Sequence, residues 1–143
     1  MLLADVNILL YAFREESPSH EAHRAWLTAA VAGPEPFGVV ELVLSTFMRI
    51  VTHHRIYVEP STPDRALAFC DSLLAAPAAV PVRSGPRHWA IFADLVRQVG
   101  ARANTVPDAW LAALAIEHGG VWVTTDAGFA RFPGLQWRRA LNT

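Results

Sequence analysis

The chain contains no lysine, and all twelve of its basic residues are arginine. This absence excludes catalysis through a lysine Schiff base and the lysine-bearing phosphate loop of P-loop nucleotide hydrolases. It leaves arginine, whose planar guanidinium binds phosphate through paired hydrogen bonds. Thirteen acidic residues bring the formal net charge to −1. The sequence therefore lacks the overall basic character that would by itself indicate nucleic-acid binding, although a local basic surface is not excluded.

Cysteine is almost as scarce, with Cys70 alone in the sequence. One cysteine can form neither an intramolecular disulfide nor a cysteine-based zinc site, and its apolar neighbours indicate a core position. The N-terminus lacks the basic segment and cleavage site of a signal peptide. No apolar stretch reaches the roughly 18 residues of a membrane span. We therefore expect a cytoplasmic protein without a membrane segment.

Apolar residues are abundant, at 52% of the chain against 17% charged residues, which argues against disorder. The length of 143 residues fits one domain with one core, so we expect a single domain over residues 1–143. Four short β-rich runs alternate with longer helical patterns, and residues 136–138 are a candidate fifth strand at an edge. This alternation predicts an α/β fold with a mainly parallel sheet of four to five strands between layers of helices.

The boundaries of these elements follow from turn and capping residues. Ser17 before Pro18 and Thr62 before Pro63 are typical of a helix N-cap followed by a first-turn proline. Gly100 is typical of a helix C-terminus. The predicted strands cover residues 2–6, 36–40, 79–82 and 121–124, and the predicted helices cover residues 7–13, 18–32, 42–52, 63–76, 87–99 and 106–118. Small residues in the last helix predict close packing against a neighbour.

Acidic residues follow three of the four predicted strands. Asp5 ends the first strand, Glu41 follows the second and Asp126 follows the fourth. Asp108 lies in the first turn of the helix that leads back into the fourth strand. Taken alone, Asp108 and Glu41 could simply stabilise a helix start through the helix dipole, and Asp126 could be an N-cap. Asp5 is harder to explain in this way, because it follows a strand with no turn residue between. Because the carboxyl ends of parallel strands meet at one edge of the sheet, we expect all four to lie together there.

Four carboxylates within about 5 Å of one another are unstable without cations, because a like-charged pair at 4 Å costs about 4 kcal/mol at an effective dielectric near 20. Either some of them are protonated at neutral pH, or divalent metal ions neutralise them. Oxygen ligands alone suit Mg²⁺ or Mn²⁺ rather than zinc. These ions commonly serve phosphate chemistry, in which one or two of them activate water and stabilise the leaving oxygen.

The histidines do not offer a competing metal site. His20 and His23 lie three residues apart on a predicted helix but have no third ligand nearby in sequence, so we expect them on an exposed helix face. The other four histidines are an adjacent pair at a helix end and two isolated residues. The G-x-S-x-G motif of serine hydrolases and a glycine-rich phosphate loop are both absent from the sequence.

With these residues assigned, the chain resembles the PIN-domain ribonucleases, and more closely the VapC-type toxins of bacterial VapBC toxin–antitoxin modules. The resemblance is carried by Glu41 and by the segments Asp5–Asn7, Asp108–Ala115 and Thr124–Leu135. It implies a PIN-like three-layer fold and an Mg²⁺- or Mn²⁺-dependent endoribonuclease that inhibits translation by cutting tRNA or rRNA. It also implies a homodimer that is neutralised by a cognate antitoxin, whose tail blocks the acidic site.

The resemblance also implies roles for individual residues. The family's catalytic and metal-binding acids correspond to Asp5, Glu41, Asp108 and Asp126. Of these, Asp5 and Asp108 are expected to contact metal directly, Asn7 to orient Asp5 or a bound water, and Thr124 or Thr125 to support the same site. No motif identifies the arginines that would hold RNA. The first choice is Arg131, because it is near Asp126 in sequence, and weaker choices are Arg14 and Arg55.

Three other classes of protein use a similar set of acids. A phospho-acceptor signalling domain combines strand-end acids with Mg²⁺ but also needs a lysine. A phosphatase with an aspartyl nucleophile usually carries a second aspartate at the position of Asn7, together with a lysine. A catalytically inactive PIN-like module that binds RNA or protein remains an alternative, because sequence alone does not measure turnover.

Overall fold

The structure, a computed structural model, describes residues 1–142. Its strands are β1 (Leu2–Ala4), β2 (Phe37–Val39), β3 (Ala79–Pro81), β4 (Val121–Val123) and β5 (Trp137–Arg138). Its helices are α1 (Val6–Phe13), α2 (His20–Ala32), α3 (Glu41–Val51), α4 (Pro63–Leu74), α5 (His88–Val99) and α6 (Thr105–Glu117), and a short 3-10 helix covers Ala127–Arg131. The predicted α/β class is confirmed, and the candidate edge strand forms.

The five strands form one sheet in the order β3-β2-β1-β4-β5, and every neighbouring pair is parallel. Because crossovers between parallel strands are almost always right-handed, the connections from β1 through β2 to β3 put α1–α4 on one face of the sheet. The return from β3 to β4 puts α5 and α6 on the other face. The strand order therefore reverses between β1 and β4. A crevice at such a switch point, beyond the carboxyl ends of the strands, is where open α/β sheets bind ligands.

Small side chains let α6 pack closely against its neighbours. The alanines at positions 109, 112, 113 and 115 are all fully buried, as the sequence predicts. Cys70, only 4% exposed, is likewise in the core, and burial raises the pKa of its thiol. None of the helices within residues 1–142 is long and apolar enough to span a membrane.

Two of the predicted helix boundaries are confirmed in atomic detail. The side chain of Thr62 accepts a hydrogen bond from the backbone N–H of Arg65, and Pro63 occupies the first turn of α4. Gly100 ends α5 with φ +64°, a left-handed conformation that glycine adopts without steric cost. The chain then turns back through residues 101–104 into α6, which starts beside the carboxyl edge of the sheet.

The predicted start of the second helix is wrong, and so is the exposed position expected for its histidines. Ser17 lies in a turn that follows α1, and α2 begins at His20 after Ser19, which has φ 53° and makes no capping hydrogen bond through its side chain. His23 is only 5% exposed. Ring nitrogens of His20 and His23 bond the backbone oxygens of Tyr11 and Ser19. Because α2 packs against α1, we assign both histidine rings a structural role at this contact.

Candidate active site

Asp5 sits where β1 ends and α1 begins. Its side chain is the N-cap of α1, and Oδ1 accepts the backbone N–H of Val6 at 2.7 Å. Oδ2 accepts the hydroxyl of Thr124 at 2.6 Å. The residue is only 6% exposed. A buried carboxylate is costly unless it is hydrogen-bonded, and these two donors supply that stabilisation.

Thr124, which follows β4 directly, links the residues of this edge. It is fully buried; its hydroxyl donates to Asp5 and accepts the backbone N–H of Asp126 at 3.0 Å. The amide nitrogen of Asn7 lies 3.4 Å from both the Thr124 hydroxyl and Asp5 Oδ2, while its oxygen accepts the N–H of Thr125 at 3.4 Å. Of the supporting residues predicted from the sequence, Asn7 and Thr124 are therefore adjacent to Asp5, and Thr125 contacts Asn7 through its backbone N–H.

Asp108 joins this group from the first turn of α6. Burial, together with the nearby charges of Asp5 and Asp126, raises the pKa of Asp108 to about 6, while Arg131 opposes the shift. Burial also raises the pKa of Asp5, and Asp126 adds to the rise although Thr124 and Val6 donate to the carboxylate. Three aspartates from three separate elements thus share one electrostatic site at the switch point between β1 and β4.

Glu41 does not complete this site in the structure. Its carboxylate pairs with the guanidinium of Arg83 at 3.1 Å, and both side chains are exposed. In the part of the chain that the structure describes, residues 1–142, no three His, Cys, Asp or Glu side chains stand close enough to enclose a metal ion. The expected cluster of four close carboxylates is therefore wrong as a preformed arrangement. Like charges repel one another, and Arg83 offers Glu41 a partner outside the site.

The chemistry of the three aspartates nevertheless suits a divalent cation. Their donors are carboxylate oxygens, which are the ligands that Mg²⁺ and Mn²⁺ prefer. The raised pKa of Asp108 reflects burial beside two other carboxylates, and a bound cation would favour the ionised form. Asp5 and Asp108, with Asp126 beside them, are the residues that could hold the ion.

The three arginines considered for RNA binding differ in their environment. The side chain of Arg14 is only 14% exposed, and its guanidinium donates to Ser61 Oγ at 2.8 Å. Arg14 therefore stabilises the loop before α4, and we do not retain it as an RNA ligand. Arg55 is exposed in the loop after α3. Arg131 is exposed and close enough to Asp108 to oppose the rise of its pKa, so it stays the first choice among these three.

Two arginines at this edge were not singled out in the sequence. Arg83 follows β3 by two residues and pairs with Glu41. Arg139 directly follows β5, and its Nη1 donates to the backbone oxygen of Thr125 at 2.8 Å. The rule that located the acids, that residues just after a parallel strand lie at the carboxyl edge, applies equally to Arg139.

Replacing Thr124 with valine is expected to lower the free energy of unfolding by about 1–3 kcal/mol, the usual cost of leaving buried groups without a hydrogen-bond partner. Valine has the same shape but removes the donor to Asp5 and the acceptor for the Asp126 N–H. Since the Thr124 hydroxyl also lowers the pKa of Asp5, that pKa should rise further. Urea denaturation and carboxyl NMR titration would measure the two effects.

Thr124→Ser is the matched control, because it keeps the hydroxyl and loses only a methyl group. Its Asp5 pKa should stay near that of the unchanged chain. If the serine and valine variants shifted the Asp5 pKa equally, the hydroxyl would not be the cause, and the network centred on Thr124 would be contradicted.

Comparisons with known proteins agree over most of the chain. The family model described as PIN domain matches residues 2–135. The chain is 44% identical over 142 residues to VapC ribonuclease Mb2897 of Mycobacterium bovis, covering 99% of this chain and 97% of that one. It is 38% identical over 136 residues to ribonuclease VapC25 of Mycobacterium tuberculosis, covering 95% and 96%. A chain in the structure of VapBC2 from Rickettsia felis, bound to a promoter DNA fragment, shares the fold with a TM-score of 0.71 at 18% identity, covering 96% of this chain and 97% of that one.

Proposed function

Because the chain belongs to the PIN-domain family and, within it, to the VapC ribonucleases, we propose that it is a divalent-metal-dependent endoribonuclease toxin. It hydrolyses phosphodiester bonds of tRNA or rRNA and thereby inhibits translation. The observation that carries this proposal is the sharing of one electrostatic site by three aspartates between β1 and β4. An all-carboxylate site of this kind suits a metal-assisted reaction on a phosphodiester.

The roles that we propose for individual residues follow from their hydrogen bonds. Asp5 and Asp108 would hold Mg²⁺ or Mn²⁺, which when bound would supply the Lewis acidity that phosphodiester hydrolysis needs. Thr124 orients the Asp5 carboxylate and favours its ionised form by donating to Oδ2. The amide nitrogen of Asn7 donates to the same carboxylate oxygen of Asp5.

The remaining acids have supporting roles. Asp126, anchored through its own N–H to Thr124, would orient water beside the scissile phosphate. Glu41 would take the same role only after exchanging its ion pair with Arg83. Arg131 lies close enough to Asp108 to lower its pKa, and it would attract the phosphate. The carboxylates alone would repel RNA, so binding at the acids depends on the cation, and arginines around the site supply the remaining affinity.

Purified protein is expected to cut total cellular RNA when Mg²⁺ or Mn²⁺ is present and to lose that activity when EDTA is added. The reason is that the three aspartates cannot stabilise a transition-state phosphate without a cation. Gel analysis of the RNA, followed by mapping of the new ends, would measure cleavage and distinguish tRNA from rRNA targets.

The control is an Asp5→Asn preparation purified in parallel, which reveals any contaminating ribonuclease. Cleavage that survives EDTA would contradict metal dependence. RNA binding without cleavage under any metal condition would favour the alternative function, a catalytically inactive PIN-like module that binds RNA or protein.

The family also suggests partners. The solved neighbours include VapBC2 from Rickettsia felis and VapBC-1 from nontypeable Haemophilus influenzae. We propose that this chain is likewise neutralised by a cognate VapB-type antitoxin and acts as a homodimer in the cytoplasm. Co-expression with the gene adjacent to its own should suppress its toxicity and yield a stable complex. Growth arrest that persists when that neighbour is co-expressed would contradict this pairing.

A further inference from the structure

A groove of about 390 Å³ lies beside the candidate active site. It is lined by Trp26 from α2 and by residues 138–142, which are the last residue of β5 and the segment that follows it. We refer to it as the C-terminal groove. Among residues 1–142, its lining contains two arginines and no acidic side chain. The groove lined by Arg14 and Arg65, in contrast, carries three glutamates, which would repel a phosphate backbone.

Hydrogen bonds to Thr124 and Thr125 connect the C-terminal groove to the acidic centre. Strand β5 pairs with β4 so that Arg138 lies opposite Val123. The N–H of Thr124 donates to the backbone oxygen of Arg138 at 3.0 Å, and Arg139 Nη1 donates to the backbone oxygen of Thr125 at 2.8 Å. Since the Thr124 hydroxyl also bonds Asp5, the groove begins one residue away from the acids.

The side chains of the C-terminal groove match the two parts of a single-stranded nucleic acid. Arg138 and Arg139 are exposed, and within residues 1–142 neither takes part in an ion pair. The bond from Arg139 Nη1 to Thr125 orients its guanidinium and leaves Nε and Nη2 for a phosphate. Trp26 is partly buried against the core, which holds its indole in place, and an aromatic ring of this kind stacks on bases of any identity.

We propose that the C-terminal groove is a subsite for the RNA strand flanking the scissile phosphate, with Arg138 and Arg139 binding phosphate and Trp26 stacking on a base. This proposal rests on the ribonuclease function proposed above. It assigns part of the RNA affinity to residues outside the acidic centre. It also explains how a chain with a formal net charge of −1 can hold a polyanion, because two arginines and an aromatic ring concentrate the attraction on one side of the acids.

The test measures binding of a fluorescein-labelled single-stranded RNA of about ten nucleotides, within the usual site size for such strands. Anisotropy is recorded with EDTA in the Asp5→Asn background. Arg139→Gln should weaken binding about 5- to 10-fold and reduce the slope of log affinity against log salt by about 1. Trp26→Leu should weaken binding about 10-fold with little change in that slope, whereas Trp26→Phe should retain most of the affinity.

Arg97→Gln is the matched control, since Arg97 is an exposed arginine on α5 that takes no part in the acidic site or the C-terminal groove. Thermal denaturation of each variant separates loss of binding from loss of folding. In the otherwise unchanged enzyme, Arg139→Gln should raise KM with kcat nearly unchanged. A fall in kcat without loss of affinity would mean that Arg139 only positions Thr125, and would overturn the subsite.

Other outcomes are equally decisive. If the unsubstituted chain cuts and binds RNA while Arg139→Gln and Trp26→Leu behave like Arg97→Gln, the subsite is wrong and the ribonuclease function stands. If the unsubstituted chain neither binds nor cuts RNA, both proposals fail. An acidic peptide of matched charge that binds through Arg139 when RNA does not would identify the C-terminal groove as a protein-binding surface instead.

Discussion

Replacing Asp5 with asparagine is expected to reduce RNA cleavage by at least about 100-fold while the fold persists. Even indirect partners of a metal ligand cost 10- to 100-fold when removed, and a direct ligand costs at least that much. Asparagine has the size of aspartate and is an equally good N-cap for α1. Its one oxygen can accept from either Val6 or Thr124 but not from both. That loss is offset because a buried charge is also removed.

Initial rates on a labelled RNA would measure the loss of cleavage. Circular dichroism and thermal denaturation of the same samples would show whether the fold persists. Asp64→Asn is the matched control, because Asp64 is an exposed acid in the first turn of α4. It should leave the rate unchanged. Full activity of the Asp5 variant would remove Asp5 from the mechanism. Loss of activity together with loss of structure would show that Asp5 serves the fold rather than catalysis.

Most of the fold could be predicted from the sequence, because it depends on local patterns. Short apolar runs, each followed by a helical pattern, define the parallel sheet, and Gly100 marks the end of α5 as predicted. Thr62 also behaves as its sequence context predicts. Asp108 is the acid whose position beside Asp5 a local pattern does not determine, because it depends on the course of the loop after Gly100. The structure brings Asp108 within electrostatic range of Asp5.

The errors and omissions concern contacts between residues that are distant in sequence. Glu41 was expected to face the other acids, yet it pairs with Arg83, which lies 42 residues further along the chain. His23 was expected to be exposed, yet the packing of α2 on α1 buries it. Trp26 and Arg139 come together only because the segment after β5 lies against α2. No periodicity or motif encodes these pairings.

The sequence therefore predicts the acids of the site better than it predicts the residues around them. The aspartates can be predicted because each lies at a strand end or a helix start, and local sequence patterns indicate these positions. Their charged surroundings, namely the guanidinium groups of Arg83 and Arg139, depend on tertiary packing. The acids determine what chemistry is possible, and the surroundings determine how their charge is balanced in the metal-free chain.

Asp108→Asn is expected to abolish cleavage and at the same time to stabilise the metal-free protein. The pKa of Asp108 rises from 3.8 to about 6 because of burial and the charges of Asp5 and Asp126, so at pH 7 the folded state holds an unfavourable carboxylate. At face value this shift corresponds to about 3 kcal/mol. Solvent screening of a half-buried group and the favourable helix dipole reduce the gain to about 1 kcal/mol, or about 3–4 °C in Tm.

The pH dependence gives this prediction its sharpest test. The folded-state pKa is raised, so the penalty is full above about pH 6, shrinks as the pH falls and is absent below about 3.8. The Tm advantage of Asp108→Asn should therefore be largest at pH 7–8 in EDTA and vanish near pH 4. Saturating Mg²⁺ or Mn²⁺ should remove it as well, because the ion stabilises only the chain that retains Asp108. An advantage of the same size at every pH, or one that survives the metal, would mean that the charge of Asp108 is not its source.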